Sequence, residues 1–207
     1  GGCGFIGSNF INFIFNKNNI NKLVNLDAMY YCAKEEHIKE NIRNSDKYVF
    51  FKGNTINSDI VNHILKKYNI DYVINFAAQS HVCTSFTNPI QYTHDNILGT
   101  HILLDCCYKY HTKFNKFKKF IHISTDEVYG ESQVYDTDTD KKTENTILCP
   151  TNPYSATKAG AELIVQSYYH SFNFPIIITR SNNIYGKNQY HEKLIPKFIK
   201  LLKENKT

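Results

Sequence analysis

The chain of 207 residues is 42% hydrophobic, which supplies one sizeable core and the start of a second lobe. Its formal net charge of +5 is dispersed except in "KYHTKFNKFKKF" (109–120), a solvated connection between a helical pattern and a strand, so nucleic-acid binding is not expected. No apolar run approaches the roughly 20 residues of a membrane span, and six cysteines without C-x-x-C spacing argue against a metal site or a disulfide framework and for reduced thiols in a cytoplasmic protein.

After an opening glycine turn, "FIGSNFINFIFNK" has a helical pattern, followed by the strand "KLVNLD" (22–27), a polar helix near 33–44 and the strand "YVFFKG" (48–53). A helix near 57–68 leads into the strand "YVINFAA" (72–78), a long helix covers about 89–110, and "KFIHIST" (119–125) is the next strand. The polar, acidic stretch 131–150 reads as an excursion above the sheet. A helix from near Tyr154 to Phe172, the strand "PIIITR" (175–180) and an amphipathic helix from near Lys193 complete the order. Strands separated by helical patterns predict right-handed βαβ units, hence an α/β, doubly wound parallel sheet covered on both faces.

In "GGCGFIG", Gly1, Gly4 and Gly7 stand just before a helical pattern. Such glycines permit a tight turn and close approach of backbone to a pyrophosphate, which the free N–H groups of the helix N-terminus attract. Asp27 ends the next strand, where a carboxylate accepts hydrogen bonds from ribose hydroxyls. It would repel a 2′-phosphate, and Ala28 follows it rather than Arg, so NAD is expected rather than NADP. Residue 1 is already in this turn. The strand before it and most of a C-terminal substrate lobe are therefore expected to lie outside the sequence, which reads as an inactive fragment. Residues 1–180 would be a truncated dinucleotide-binding domain and 181–207 the start of the substrate-binding lobe.

In "NPYSATKAGAE", Tyr154 and Lys158 are four apart after Pro153, so they share one helical face. A nearby ammonium is expected to lower the phenol from its usual value of about 10. With the hydroxyl of Thr125 at an intervening strand end, this set suits the oxidation of an alcohol. "STDEVYG" (124–130) then sets Asp126 and Glu127 side by side. Neighbours within a strand point to opposite faces, so both serve one ligand only where the strand has ended, and strand ends are where ligands bind in such sheets.

The segments "GGCGFIGSN", "FAAQSHV", "NILGTHILLD", "HISTDEVYGE", "PTNPYSATKAGAE" and "TRSNNIYGKNQYHEKLIPKF" resemble, in order and spacing, the nucleotide-sugar 4,6-dehydratases of the extended short-chain dehydrogenase/reductase group. The resemblance covers nearly the whole chain and implies a Rossmann-like fold, bound NAD and a dTDP- or UDP-glucose substrate on a rhamnose-type deoxysugar route, with "NLDAMYYCA" and "FAAQSHV" nearer the UDP-glucose members. It implies Asp126 as acid, Glu127 as base, Tyr154 and Lys158 as the oxidation pair and Thr125 as the partner of the carbon 4 oxygen. By the same resemblance Phe5 and Ile6 line the pyrophosphate, Asn54 and Thr55 lie near the adenine, and Ala77, Ala78 and Gln79 pass beneath the cofactor. Asn183 lies near the nicotinamide, and Ser80, Asn182, Lys193 and Leu194 contact the sugar nucleotide. The full-length protein is expected to be a homodimer. Departures from the usual pattern are Asn54 for Asp, Ala28 for Lys, Cys83 for Asp and Asp95 for Thr. A 4-epimerase-like oxidoreductase and a non-catalytic cofactor-binding protein are the alternatives.

Overall fold

The computed structural model describes residues 1–17, 20–131 and 141–206, and residues 132–140 of the expected excursion at 131–150 lie outside them. Two compact units form, one of residues 1–54 and 183–207, the other of residues 55–182.

In the first unit, α1 (Phe5–Ile14) precedes two parallel strands, β1 (Leu23–Asp27) and β2 (Tyr48–Lys52), paired from Leu23↔Tyr48 to Asp27↔Lys52. The core joins Cys3 and Ile11 to Ile38, Ile42 and Tyr48. The polar helix expected near 33–44 is shorter than its pattern. A 3-10 turn occupies Glu35–His37, Ile38 is extended, and only α2 (Glu40–Arg43) follows. Burying Ile38 and Ile42 completely sets this backbone rather than helical periodicity.

The second unit holds three parallel strands in the order β3 (Tyr72–Asn75), β4 (Lys119–Thr125), β5 (Ile176–Ser181), with Asn75, His122 and Ile178 in register. Helix α3 (Ser58–Lys67) packs on the later α6 (Gly99–Phe114), and α7 (Pro153–Phe172) lies on β4 and β5. The expected strand 72–78 ends at Asn75, whose side-chain oxygen accepts from Ala77 N at 3.1 Å and turns the chain. A helix absent from the sequence reading, α4 (Val82–Thr87), follows.

The expected long helix is interrupted. One turn, α5 (Pro89–Tyr92), passes into a π-helical segment at Thr93–Leu98 and then into α6. The wider turn buries Asp95 and Asn96. Helix α8 (Leu194–Lys203) returns to the first unit and leaves Leu194, Phe198 and Leu202 exposed.

The expected single parallel sheet is thus observed as two, and no ladder joins them among the described residues. Among the described residues no helix is long and apolar enough to cross a membrane.

Candidate active site

β4 buries Phe120, His122 and Ser124 on one face and stops at Thr125. Asp126 already belongs to a 3-10 turn, Asp126–Tyr129, so the adjacent carboxylates no longer obey strand alternation. The Thr125 hydroxyl knits the turn by accepting from Glu127 N at 3.3 Å and donating to Asp126 Oδ1 at 3.2 Å. Val128 is fully buried and pins it. Gly130 ends it at φ 87°, where an added Cβ would collide with the Cys149 carbonyl oxygen, so only glycine fits without strain.

Helix α7 starts where the sequence places it. Asn152 caps it by accepting from Ser155 N at 2.8 Å and donating its own N–H to Ser155 Oγ at 3.2 Å, with Pro153 in the first turn. The same Asn152 donates through Nδ2 to Glu127 Oε2 at 3.3 Å, tying the cap to the acidic turn.

One turn apart on this helix, Tyr154 and Lys158 are both buried. Burial pulls the Lys158 ammonium down to about 8, and Glu162 works the other way. Its Nζ donates to the Ile123 carbonyl at 2.6 Å. The Tyr154 phenol moves opposite to the expectation from Lys158. Burial pushes it up, the charges of Glu127 and Asp126 add to this, and a hydrogen bond with Thr125 only partly offsets them.

Two buried polar features were not anticipated from the sequence. The first is Asn96 in the π-helical segment, which accepts from Gln79 N at 2.7 Å and donates to Gln79 O at 3.0 Å and to Thr157 Oγ1 at 2.9 Å. It fixes the loop after β3 to α7. Asp95 beside it accepts from the side-chain amides of Gln79 and Gln91 at 2.9 and 3.0 Å, which gives this departure from the usual threonine a structural role.

The second is Glu162, fully buried on α7, gripped by Arg180 at the end of β5. Spacing placed Glu162 four residues after Lys158, on the same face. That was the signal available, since a carboxylate on a sheet-facing stripe requires a cation. Arg180 and the Asp126–Tyr129 turn line a cleft of about 660 Å³ together with Asn182, Gln166 and Glu144. His122 lies fully buried with no hydrogen-bond partner for either ring nitrogen among the described residues. Burial, and then Lys158, hold it well below the usual histidine range, so it is neutral.

The second unit therefore brings together Thr125, Asp126, Glu127, Tyr154 and Lys158, with Ala77, Ala78, Gln79 and Ser80 on the loop after β3. Thr55 precedes α3 and Asn182 follows β5 in the same unit.

Gly1, Gly4, Phe5, Ile6, Gly7, Asp27, Asn54, Asn183, Lys193 and Leu194 belong to the first unit. There Gly4 caps α1 in extended conformation without any side-chain cap, leaving first-turn N–H groups for an anion. A Cβ on Gly7 would stand 2.7 Å from Gly2 Cα and closer still to the Gly1 carbonyl oxygen, so the turn admits no side chain.

Asp27 is buried, accepting from Cys3 N and Met29 N at 2.8 Å each, and a carboxylate with two such bonds keeps lone pairs for a diol. Both features fit a dinucleotide. Asn54 donates to Tyr30 Oη at 3.0 Å, and Lys193 caps α8.

Parallel strands, a glycine turn with its acidic strand end, and a buried tyrosine–lysine pair beside an acidic turn define a dinucleotide-dependent α/β protein of the short-chain dehydrogenase type. The chain belongs to the nucleotide-sugar 4,6-dehydratase family, the pattern described as "GDP-mannose 4,6 dehydratase" matching residues 1–207.

It is 48% identical over 212 aligned residues to a dTDP-D-glucose 4,6-dehydratase of Dictyostelium discoideum, covering 100% of this chain and 48% of that protein. It is 45% identical to an Arabidopsis thaliana trifunctional UDP-glucose 4,6-dehydratase/UDP-4-keto-6-deoxy-D-glucose 3,5-epimerase/UDP-4-keto-L-rhamnose-reductase, covering 97% of this chain and 29% of that protein. Among solved structures, dTDP-glucose 4,6-dehydratase of Bacillus anthracis in complex with NAD superposes with a TM-score of 0.86 at 36% identity, covering 100% of this chain and 61% of that one. The chain thus spans about half the length of the first relative and under a third of the second.

Proposed function

We propose that the full-length protein is an NAD-dependent hydro-lyase that converts UDP- or dTDP-glucose to the 4-keto-6-deoxy sugar nucleotide and water. The observation that carries this reading is the 3-10 turn immediately after β4, which sets Asp126 and Glu127 beside Thr125 and the buried Tyr154. Oxidation alone needs only the tyrosine, lysine and threonine. Elimination of water needs in addition a base and an acid in opposite protonation states.

In the first unit, Gly1, Gly4, Phe5, Ile6 and Gly7 are assigned to the pyrophosphate of NAD, Asp27 to the ribose, Asn54 to the adenine and Asn183 to the nicotinamide end. In the second unit, Thr55, Ala77, Ala78, Gln79, Tyr154 and Lys158 are assigned to the same cofactor. When bound, NAD supplies the two-electron oxidation of carbon 4 and returns those electrons at carbon 6. Tyr154 accepts the proton of the carbon 4 hydroxyl, while Thr125 donates a hydrogen bond to that oxygen. The resulting ketone acidifies the carbon 5 hydrogen, which Glu127 removes. Asp126 protonates the carbon 6 oxygen as its bond to carbon breaks, and water leaves. Glu127, its proton exchanged with solvent, then protonates carbon 5, and because the electrons taken from carbon 4 return at carbon 6 the sequence is redox-neutral.

Ser80, Asn182, Lys193 and Leu194 are assigned to the sugar nucleotide, and Lys193 suits the diphosphate by charge. The division of residues 1–180 and 181–207 into cofactor and substrate parts is a functional one, beside the packing division described above. Family resemblance supports a cytoplasmic homodimer.

Incubating the full-length protein with UDP-glucose and with dTDP-glucose and following mass tests the reading. Loss of one water is expected, with solvent hydrogen entering carbon 5. Interconversion without loss of mass or exchange at carbon 5 would make it an epimerase instead.

A further inference from the structure

Arg180 divides its guanidinium between α7 and the acidic turn. Nε donates to Glu162 Oε1 and Oε2 at 3.0 and 3.2 Å, and Nη2 also donates to Glu162 Oε1. Nη1 donates to Tyr129 Oη at 2.6 Å and to the Glu144 carbonyl at 3.0 Å, and the guanidinium carbon lies 4.8 Å from the centre of the Tyr129 ring. Glu162 Oε1 also accepts from Gln166 Nε2 at 2.9 Å, so two side chains hold the carboxylate.

Glu162 is on the helix of Tyr154 and Lys158, one turn after the lysine. Tyr129 closes the turn that opens with Asp126 and Glu127. One cation at a strand end therefore joins the two elements that carry the oxidation residues and the elimination residues.

A buried ion pair adds little net stability over apolar side chains of the same volume. What it fixes is geometry, because the planar fork satisfies the carboxylate and the tyrosine in one arrangement. The pair also leaves Lys158 facing a carboxylate already taken up by Arg180, consistent with burial outweighing Glu162 at the lysine.

We propose that Arg180, held by Glu162, is a positioning residue for the elimination step: through the Tyr129 hydroxyl it sets the Asp126–Glu127 turn at a fixed separation from the helix of Tyr154 and Lys158. This rests on the dehydratase reading above. A misplacement of about 1 Å can cost on the order of 100-fold in rate, and here it would fall on the step that uses the turn.

The test compares the full-length wild type with Tyr129→Phe, which keeps the ring and its stacking, and with Arg180→Lys, which keeps the charge but not the fork. Rapid mixing with substrate follows formation of reduced cofactor, and mass analysis follows loss of water. Tyr129→Phe should form reduced cofactor at close to the wild-type rate but lose water about 10- to 100-fold more slowly, so that reduced cofactor accumulates. Arg180→Lys should show at least the same split. Independently of turnover, amide hydrogen exchange over residues 126–130 should speed up in both variants, while that of α7 holds.

Equal falls in the two rates, no fall in either, or unchanged exchange in the turn would overturn the proposal. A wild type that reduces its cofactor without ever releasing water would overturn the dehydratase reading and this proposal with it, and is recognised before any variant is made.

Discussion

Lys158 Nζ donates to the carbonyl oxygen of Ile123 at 2.6 Å, so the buried ammonium of α7 is held by the backbone of β4 two residues before Thr125. The bond satisfies one of three donors, and burial still lowers this lysine to about 8 from 10.5.

A pH-dependent stability follows from that bond and that burial. The folded value lies below the unfolded one, so between about pH 8 and about 10.5 the unfolded chain binds more protons and stability rises with pH. Below about pH 8 the penalty is fully present. Lys158→Met should remove this rise, which is worth a few kcal/mol at ~1.4 kcal/mol per unit. Urea midpoints of wild type and variant at about pH 7 and about pH 10 check it. Parallel pH dependences would show that the lysine is not held in this environment.

Glu127→Gln separates the two halves of the proposed reaction. Glu127 is the second cause, after burial, that raises the Tyr154 phenol, so removing its charge moves the phenol down and shifts the pH profile of the oxidation step towards lower pH. The base for carbon 5 is gone. Reduced cofactor should therefore form at least as fast as in the wild type near neutral pH, and loss of water should fall by about 100-fold or more. Rates for the two steps, read separately, check this. Normal water release would remove Glu127 from the role of base.

The site was legible in the sequence where residue type and local spacing carry the information. A hydroxyl and two carboxylates after a β-branched run mark a strand end, and β4 stops at Thr125. Asn, Pro and Tyr in succession mark a helix start, and Asn152 caps α7. What spacing cannot show is desolvation. The direction of the Tyr154 shift depends on how deeply the phenol sits, and the i,i+4 pair alone suggested the opposite sign. Nor does it show partners distant in sequence. Glu162 and Arg180 are 18 residues apart, and no spacing names one as the partner of the other. The π-helical segment at Thr93–Leu98 likewise follows from tertiary demand, since the buried Asn96 must reach both Gln79 and Thr157.

Gly7→Ala tests the glycine turn without touching the chemistry. Its Cβ would meet backbone on two sides, the Gly1 carbonyl and Gly2 Cα, and backbone has no rotamer with which to yield. The expected outcome is a shift of the turn, with NAD affinity falling by about 10-fold or more, equivalent to ~1.4 kcal/mol or more, measured by titration calorimetry on the full-length protein. Unchanged affinity would mean that this turn does not approach the cofactor.

Truncating Arg180 separates stability from positioning. Arg180→Met leaves Glu162 fully buried with, among the described residues, only the Gln166 amide as donor, and breaking a buried pair from one side costs about 3–5 kcal/mol. Replacing both partners, Arg180→Met with Glu162→Leu, removes the uncompensated charge and substitutes apolar volume, so most of that loss should return. Denaturant unfolding of the wild type, both single variants and the double variant closes the cycle, and a coupling of several kcal/mol is expected. The stable double variant still lacks the donor to Tyr129, so it should remain slow in water release while keeping its oxidation step. If it instead regains the wild-type rate of water release along with its stability, the ion pair serves folding alone.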